Sequence, residues 1–221
     1  MGSVDAIWRY PVKSMLGEQL PAAQFAVEGV VGDRAYALID DETGNVVSVK
    51  RPKRWGRMFE LTAVSGPSGV SVVFPDETIV GIDDVDLAPR LSEFFGRSVS
   101  IGTSPAPDAR FDEVWVRELK DGVNPYFDAP TRVEDGDEMI YGATRMGEGA
   151  SFNNFGAVHI VTTSTSRELT ERAPDTRFDP HRFRPNQWNR LRRSRSPRRS
   201  DNFGRGTCAA SRIFPAISNR R

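Results

Sequence analysis

The sequence has little of what secreted, disulfide-rich or membrane-spanning proteins need. It contains one cysteine and two histidines among 221 residues. One cysteine excludes an internal disulfide and is typical of a reducing compartment. No run of roughly 18 apolar residues occurs, and residues 1–10 lack the basic and apolar regions of a secretory signal. We therefore expect a cytoplasmic chain without a membrane partner.

The net charge of zero conceals an uneven distribution along the chain. Residues 187–221 hold ten arginines and one acid, Asp201, whereas residues 1–186 hold 20 basic and 29 acidic groups. Nucleic-acid binding depends on Lys and Arg contacts to phosphates, so an acidic body argues against it. Any nucleic acid or acidic partner is therefore expected only at the basic tail.

Short apolar runs separated by turn residues predict a mainly β fold of barrel type with a few helices. Asp-Glu-Thr-Gly at 41–44 and Gly-Pro-Ser-Gly at 66–69 indicate two turns. One helix is predicted near 87–95, capped by Asp84 or Asp86 and ended by Gly96. The strands predicted in this part are 4–10, 24–27, 35–40, 46–50, 59–64, 70–74 and 99–102.

The chain is less regular after the Pro-containing stretch at 103–107. A strand is predicted at 113–116, loops over 120–156 and a buried strand at 157–162. A helix is predicted at 164–173, with Thr165 and Glu168 as its capping box.

The stretch 178–186 places two arginines, an asparagine and a histidine beside two prolines. Proline pushes the preceding residue towards extended conformations, which predicts an extended segment with Arg182 and Arg184 on one side and Asn186 continuing the row. Paired guanidinium groups are suited to a phosphate or a flat polar ring. A solvated loop with local salt bridges is the alternative.

Four short motifs, separated along the chain, together resemble the sequence pattern of one protein family. Tyr-Pro-Val-Lys-Ser at 10–14, with Gly-Asp-Arg at 32–34, is similar to the N-terminal β-barrel domain that precedes MOSC domains. Val-His-Ile-Val-Thr-Thr-Ser at 158–164, followed by Arg-Phe-Arg-Pro-Asn at 182–186, resembles the MOSC domain itself. The resemblance covers residues 4–186 and implies three parts: an N-terminal β-barrel domain (1–105), an incomplete MOSC barrel (106–186) and a disordered Arg/Ser-rich tail (187–221).

The family resemblance implies a molybdenum cofactor, with the metal held by the dithiolene of molybdopterin and by a cysteine. It implies oxidoreductase activity on N-hydroxylated compounds or sulfur transfer, a redox partner protein, and a family link to pyridoxal phosphate. The residues it assigns to the cofactor are Lys13, Ser14, Arg34, Thr163, Ser164, Arg182, Arg184 and Asn186. Each also has an ordinary interpretation: Lys13 and Ser14 as a turn, for example, or Arg34 as a surface ion pair with Asp33 or Asp40.

The sequence departs from the family pattern after Asn186. The strands that bring the metal-ligating cysteine are missing, and Cys208 lies in a context that does not match. A thiolate is a natural ligand for a soft metal, but one lone cysteine is weak support for a metal site. The abrupt change to Arg, Ser and Pro suggests a truncation or frameshift, a hypothesis that resequencing of the locus would test.

The sequence is therefore compatible with three functions. The first is a molybdenum-cofactor enzyme, inactive if the cysteine region is lost. The second is a cofactor-binding or sulfur-carrier module without catalysis. The third is binding of RNA or an acidic partner through the tail.

Overall fold

The computed structural model describes residues 2–115, 131–134, 138–145, 151–153 and 156–190. The described residues contain more strand than helix, arranged in several small sheets. The expectation of a mainly β chain is confirmed to that extent, but these residues form no closed barrel. Among them, no helix is long and apolar enough to cross a membrane.

The first half of the chain contains nine strands and two α-helices. They are β1 (Ser3–Arg9), β2 (Glu18–Leu20), β3 (Phe25–Ala26), β4 (Gly29–Val30), β5 (Ala37–Asp40), α1 (Pro52–Trp55), a 3-10 helix (Gly56–Glu60), β6 (Thr62–Gly66), β7 (Gly69–Val73), β8 (Ile79–Gly81), α2 (Leu87–Phe95) and β9 (Val99–Gly102). Gly96 ends α2 in the left-handed conformation, as the sequence predicts.

The residues described after position 102 contribute five strands and two helices. They are β10 (Arg110–Trp115), β11 (Thr131–Glu134), β12 (Glu138–Arg145), β13 (Ile160–Thr162), α3 (Thr163–Arg172), α4 (Pro180–Phe183) and β14 (Gln187–Arg190). Strands β6, β7 and β8 form one sheet, β5 pairs with β9, and β12 lies between β10 and β11. Strands β3 and β4 pair with each other, and the largest of the five described sheets has the order β13-β14-β1-β2.

Two apolar clusters hold these sheets together. The larger surrounds Val12, Met15 and Leu61, with Leu87 and Leu91 contributed by α2. The smaller joins Ala37, Val46, Phe111 and Phe152. Because Phe111 and Phe152 are fully buried there, residues assigned to the second part of the chain complete the core of the first.

Several local predictions are wrong. Residues 46–50 form no strand, since Val46 makes only isolated bridges to Ile39 and Phe111. The loops expected over 120–156 include β11 and β12. The cap of α3 is Thr162, whose hydroxyl accepts the Thr165 N–H, and the expected capping box at Thr165 is absent. The expected buried strand at 157–162 shrinks to β13, where Ile160 is half exposed.

The largest correction concerns the end of the described chain. The stretch 178–186 is not extended, because Pro180–Phe183 forms α4 and Arg184 is left-handed. Asp179 and Arg184 each precede a proline in this stretch. Of these two, only Asp179 has the predicted extended backbone. The tail expected to be disordered from 187 begins with β14, which pairs with β1 and β13. Residues 191–221 lie outside the described residues.

Candidate functional site

Strand β14 brings residues 184–186 against the end of β1. It runs antiparallel to β1 and parallel to β13, so the turn before it lies beside Trp8 to Val12. Asn186 fixes this junction and is fully buried. Its side chain accepts the His159 N–H at 3.0 Å and donates to the Trp8 carbonyl at 3.4 Å. The side-chain amide of Asn186 therefore bonds to the backbone of both neighbouring segments, at His159 and at Trp8.

The Arg34 guanidinium reaches across the junction from the first part of the chain. It pairs with Asp33, and it donates to the Arg184 carbonyl at 3.3 Å and to Asn186 Oδ1 at 3.5 Å. Asp33 in turn accepts the Tyr10 N–H at 2.7 Å. The surface-pair interpretation of Arg34 is thus half right: the ion pair with Asp33 exists, but it lies inside the junction.

Arg184 is a buried cation with an unsatisfied donor. The residue is 9% exposed, its Nη2 lies 3.5 Å from the Val12 carbonyl, and its Nε has no hydrogen-bond partner. Its guanidinium carbon lies 4.8 Å from the centre of the Tyr10 ring. Burial, followed by repulsion from Arg34, lowers the pKa of Arg184 to about 9, so the group remains cationic at neutral pH.

Lys13 and Ser14, which follow Val12 in the chain, are both buried. Lys13 is 3% exposed; its ammonium donates to the Phe152 carbonyl at 3.1 Å and lies 5.2 Å from the Phe111 ring centre. The Ser14 hydroxyl accepts the Val49 N–H at 3.2 Å. The Phe152 N–H donates to the Arg34 backbone carbonyl at 2.8 Å, so the Lys13 ammonium and the Arg34 backbone contact the same residue.

Strained backbone marks the same residues. Among the described residues, four that are not glycine have positive φ, and three of these are Ser14 (70°), Arg34 (49°) and Arg184 (50°). Each such residue costs about 1–2 kcal/mol in the left-handed region. Conformations of this kind concentrate at functional sites, where surrounding contacts hold them in place.

The remaining predicted site residues are not brought into this cluster. Thr163 and Ser164 begin α3, at the far end of β13 from the residue that pairs with Gln187. Strand geometry separates them from Asn186 by roughly 13 Å along the sheet. Arg182 lies within α4, and its side chain is outside what the structure describes.

Tyr10 belongs to this site, although it is not among the residues that the family resemblance assigns to the cofactor. Its ring contacts both Arg34 and Arg184, and its hydroxyl donates to the Pro185 carbonyl at 3.2 Å. Burial raises the pKa of Tyr10, more strongly than the two cations lower it. Its position directly before the Pro-Val-Lys-Ser motif was the available signal.

A histidine in an apolar strand, such as His159, is more often a hydrogen-bonded core residue than a ligand. Its backbone is bonded to Asn186, as expected for a structural residue, but the residue is exposed in part. Desolvation of the ring, followed by the charge of Arg34, lowers the pKa of His159.

Nothing in the described part of the chain adds a metal site. No group of three or more His, Cys, Asp and Glu side chains that could hold a metal occurs in it. Cys208 and the Arg-rich tail lie outside the described residues, so the hypotheses of a thiolate ligand and of RNA binding stay predictions.

Comparison with known families and proteins bears on the first part of the chain. Residues 1–75 match the model of the MOSC N-terminal beta barrel domain. No curated protein and no solved structure gives a significant match. The matched range includes Lys13, Ser14 and Arg34, while Arg184 and Asn186 lie beyond it. Residues 1–75 of this chain are therefore a MOSC N-terminal beta barrel domain.

Proposed function

We propose that this chain binds a molybdenum cofactor of the molybdopterin type at the junction between Tyr10–Ser14 and residues 184–186. The family of residues 1–75 is associated with that cofactor. The observation that supports binding most directly is the Arg184 guanidinium, which is buried, cationic and unsatisfied at Nε. An isolated buried donor costs about 1–3 kcal/mol, and an anionic acceptor would remove that cost.

The chemistry of the residues fits the phosphate end of the cofactor. Arg34 and Arg184 offer planar forks, and Lys13 adds a point charge from the same junction. Arg184 Nε can donate to a phosphate oxygen without losing a partner, whereas the Ser14 hydroxyl would have to exchange its contact with Val49 N–H. We therefore assign the first phosphate contacts to Arg184 and Arg34, with Lys13 as electrostatic support.

When bound, such a cofactor supplies two-electron redox chemistry or carries a transferable sulfur. The contribution of the described residues is to bind and orient it: Asn186 holds the junction closed, and Tyr10 positions both guanidinium groups. Reduction of N-hydroxylated compounds with a redox partner protein is the activity we propose to test first. Sulfur transfer is the second, and cofactor binding without turnover is the non-catalytic alternative.

The test is cofactor content after expression in a bacterial host that makes molybdopterin. We expect the purified chain to contain molybdenum by elemental analysis and a pterin by fluorescence after oxidation. Protein from a host unable to make molybdopterin is the blank. Wild-type protein without pterin or molybdenum, both after this expression and after reconstitution in vitro, would overturn the proposal.

A pair of matched variants locates the site. Arg184→Gln should lower the pterin content at least tenfold. Arg172→Gln removes the same charge from an exposed position on α3, where Arg172 pairs with Glu168, and should leave the content unchanged. Retention of pyridoxal phosphate but not molybdopterin would show a general phosphate site and reject the cofactor assignment.

A further inference from the structure

A concave cleft opens beside the cationic junction, between β1, α4 and β14. Ala6, Trp8 and Tyr10 alternate along the chain, so their side chains share one face of the sheet. Trp188 on β14 pairs with Ala6 and closes the cleft on one side. The complete lining is Ala6, Trp8, Tyr10, His181, Pro185 and Trp188.

The size of the cleft sets the size of its ligand. Its volume is about 170 Å³. Typical small-molecule sites hold roughly 300–1,000 Å³, whereas an apolar cavity of about 150 Å³ accommodates benzene. One six-membered ring with a small substituent therefore fits inside the cleft, whereas the second ring of a fused bicyclic ligand would extend into solvent.

The lining favours a planar aromatic ligand over an aliphatic one. Trp8 and His181 meet edge to face, with ring centres 4.5 Å apart and planes at 75°. A flat ring placed in this corner can stack on one ring and present its edge to the other, the arrangements that aromatic pairs prefer. His181 is exposed at the rim, and within the described residues its imidazole makes no hydrogen bond, so it can meet a polar substituent.

Charge selects between neutral and cationic rings. The Tyr10 wall of the cleft is backed by Arg184 and Arg34, whose guanidinium carbons lie 4.8 Å and 5.4 Å from its ring centre. Asp33 offsets Arg34, which leaves the charge of Arg184. None of the six lining side chains carries a carboxylate. Since like charges repel at this range, the cleft is unsuited to the ammonium ligands that aromatic cages bind.

We propose that this cleft is a binding subsite for a small, single aromatic or heteroaromatic ring that bears one polar group and no positive charge. The subsite lies next to the proposed cofactor junction and shares Tyr10 and Pro185 with it. Binding of the ring does not depend on the cofactor, so the two proposals can fail separately.

The experiment compares ligands of one shape and different charge on full-length protein from a host that makes no molybdopterin. Benzamide should saturate the site, measured by ligand-observed NMR and by quenching of tryptophan fluorescence. Benzamidinium has the same shape with a positive charge and should bind at least tenfold more weakly, an estimate from charge repulsion alone. Naphthamide, with two fused rings, should bind more weakly than benzamide, because its second ring would extend beyond the cleft.

Two substitutions place the ligand. Ala6→Leu fills the cleft and should weaken benzamide binding at least tenfold, while Ala26→Leu, on the exposed strand β3, should leave it unchanged. His181→Gln removes the aromatic corner without touching the sheet and should also weaken binding, which keeps the test informative if Ala6→Leu fails to fold. No saturable benzamide binding, equal affinity for benzamidinium, or unaltered binding in both cleft variants would overturn the proposal.

Discussion

Arg184 carries two energetic costs that the fold itself does not require. Its left-handed backbone costs about 1–2 kcal/mol, and its unsatisfied buried Nε about 1–3 kcal/mol. Its one weak hydrogen bond to the Val12 carbonyl and its contact with Tyr10 offset only part of this. Such costs are often found at functional sites, which supports the proposal that Arg184 binds a ligand.

Substitution of Arg184 should therefore separate function from stability. In cofactor-free protein, Arg184→Gln should leave the free energy of unfolding within about 1 kcal/mol of wild type, because removing a poorly compensated buried charge is often neutral. Urea unfolding monitored by circular dichroism measures this. A loss of about 3 kcal/mol or more, the typical result of breaking a compensated buried pair, would show that Arg184 is a structural residue.

The lowered pKa of His159 predicts that the junction is sensitive to acid. Its pKa is lowered in the folded chain, first by desolvation and then by the cation of Arg34. A base with a lowered folded pKa binds its proton more readily when unfolded, so stability falls as the pH drops below about 6.5, the unperturbed value. At pH 7.5 the stabilising contribution should be complete.

The variant His159→Gln should flatten that dependence. We expect wild type to lose more stability than His159→Gln between pH 7.5 and pH 5.5, measured by thermal melting at both values. His181→Gln alters the other histidine and serves as the control for general acid effects. Parallel losses in wild type and His159→Gln would assign the acid sensitivity to other groups.

At the scale of elements, the hairpin of β3 and β4 docks closely on the segment after residue 156. Gly29 has φ of 114°, and a Cβ built there would lie 1.9 Å from the Ala157 carbonyl oxygen. Glycine is therefore required at position 29 for two reasons: the positive φ, and the close approach of the Ala157 peptide. This contact helps to hold residues 157–162 in place for pairing with β14.

Gly29→Ala should destabilise the chain more than a glycine substitution that has only the conformational cost. Gly44 also has positive φ (71°) but nothing within 4 Å of a built Cβ, so Gly44→Ala is the matched control. We expect Gly44→Ala to cost about 1 kcal/mol and Gly29→Ala at least about 3 kcal/mol. Equal costs in chemical denaturation would show that the hairpin contact yields without penalty.

For the whole molecule, β14 joins the two ends of the described chain. It lies between β1 and β13, so four residues after Asn186 complete a sheet that starts at Ser3. The same strand places Arg184 beside Tyr10, since its register with β1 pairs Gln187 with Ile7.

Two truncations test the role of β14. A chain that ends at Arg190 keeps the strand, and a chain that ends at Asn186 loses it. We expect the shorter chain to melt at a lower temperature and to lose pterin binding, because the sheet order β13-β14-β1-β2 loses an inner strand. Identical melting curves and cofactor contents for the two truncations would contradict this role.

The sequence by itself determined the residue types of the site and much of the first part of the fold. Periodicity and turn residues located β1, β7, β9 and α2, and the motif around Lys13 and Arg34 identified the family that the match to residues 1–75 shows. These features depend on local conformational preference and on short-range patterns, which can be recognised in the sequence alone.

Only the tertiary structure decided how the site is assembled. Sequence spacing placed Arg182 and Arg184 on one extended edge, but Asp179 caps a helical turn and Arg184 reverses the chain into β14. Thr163 and Ser164 carry suitable groups yet lie at the far end of β13. The pairing of β14 with β1, the burial of Arg184 and its contact with Tyr10 arise from contacts across more than 170 residues, and such contacts leave no periodic trace in the chain.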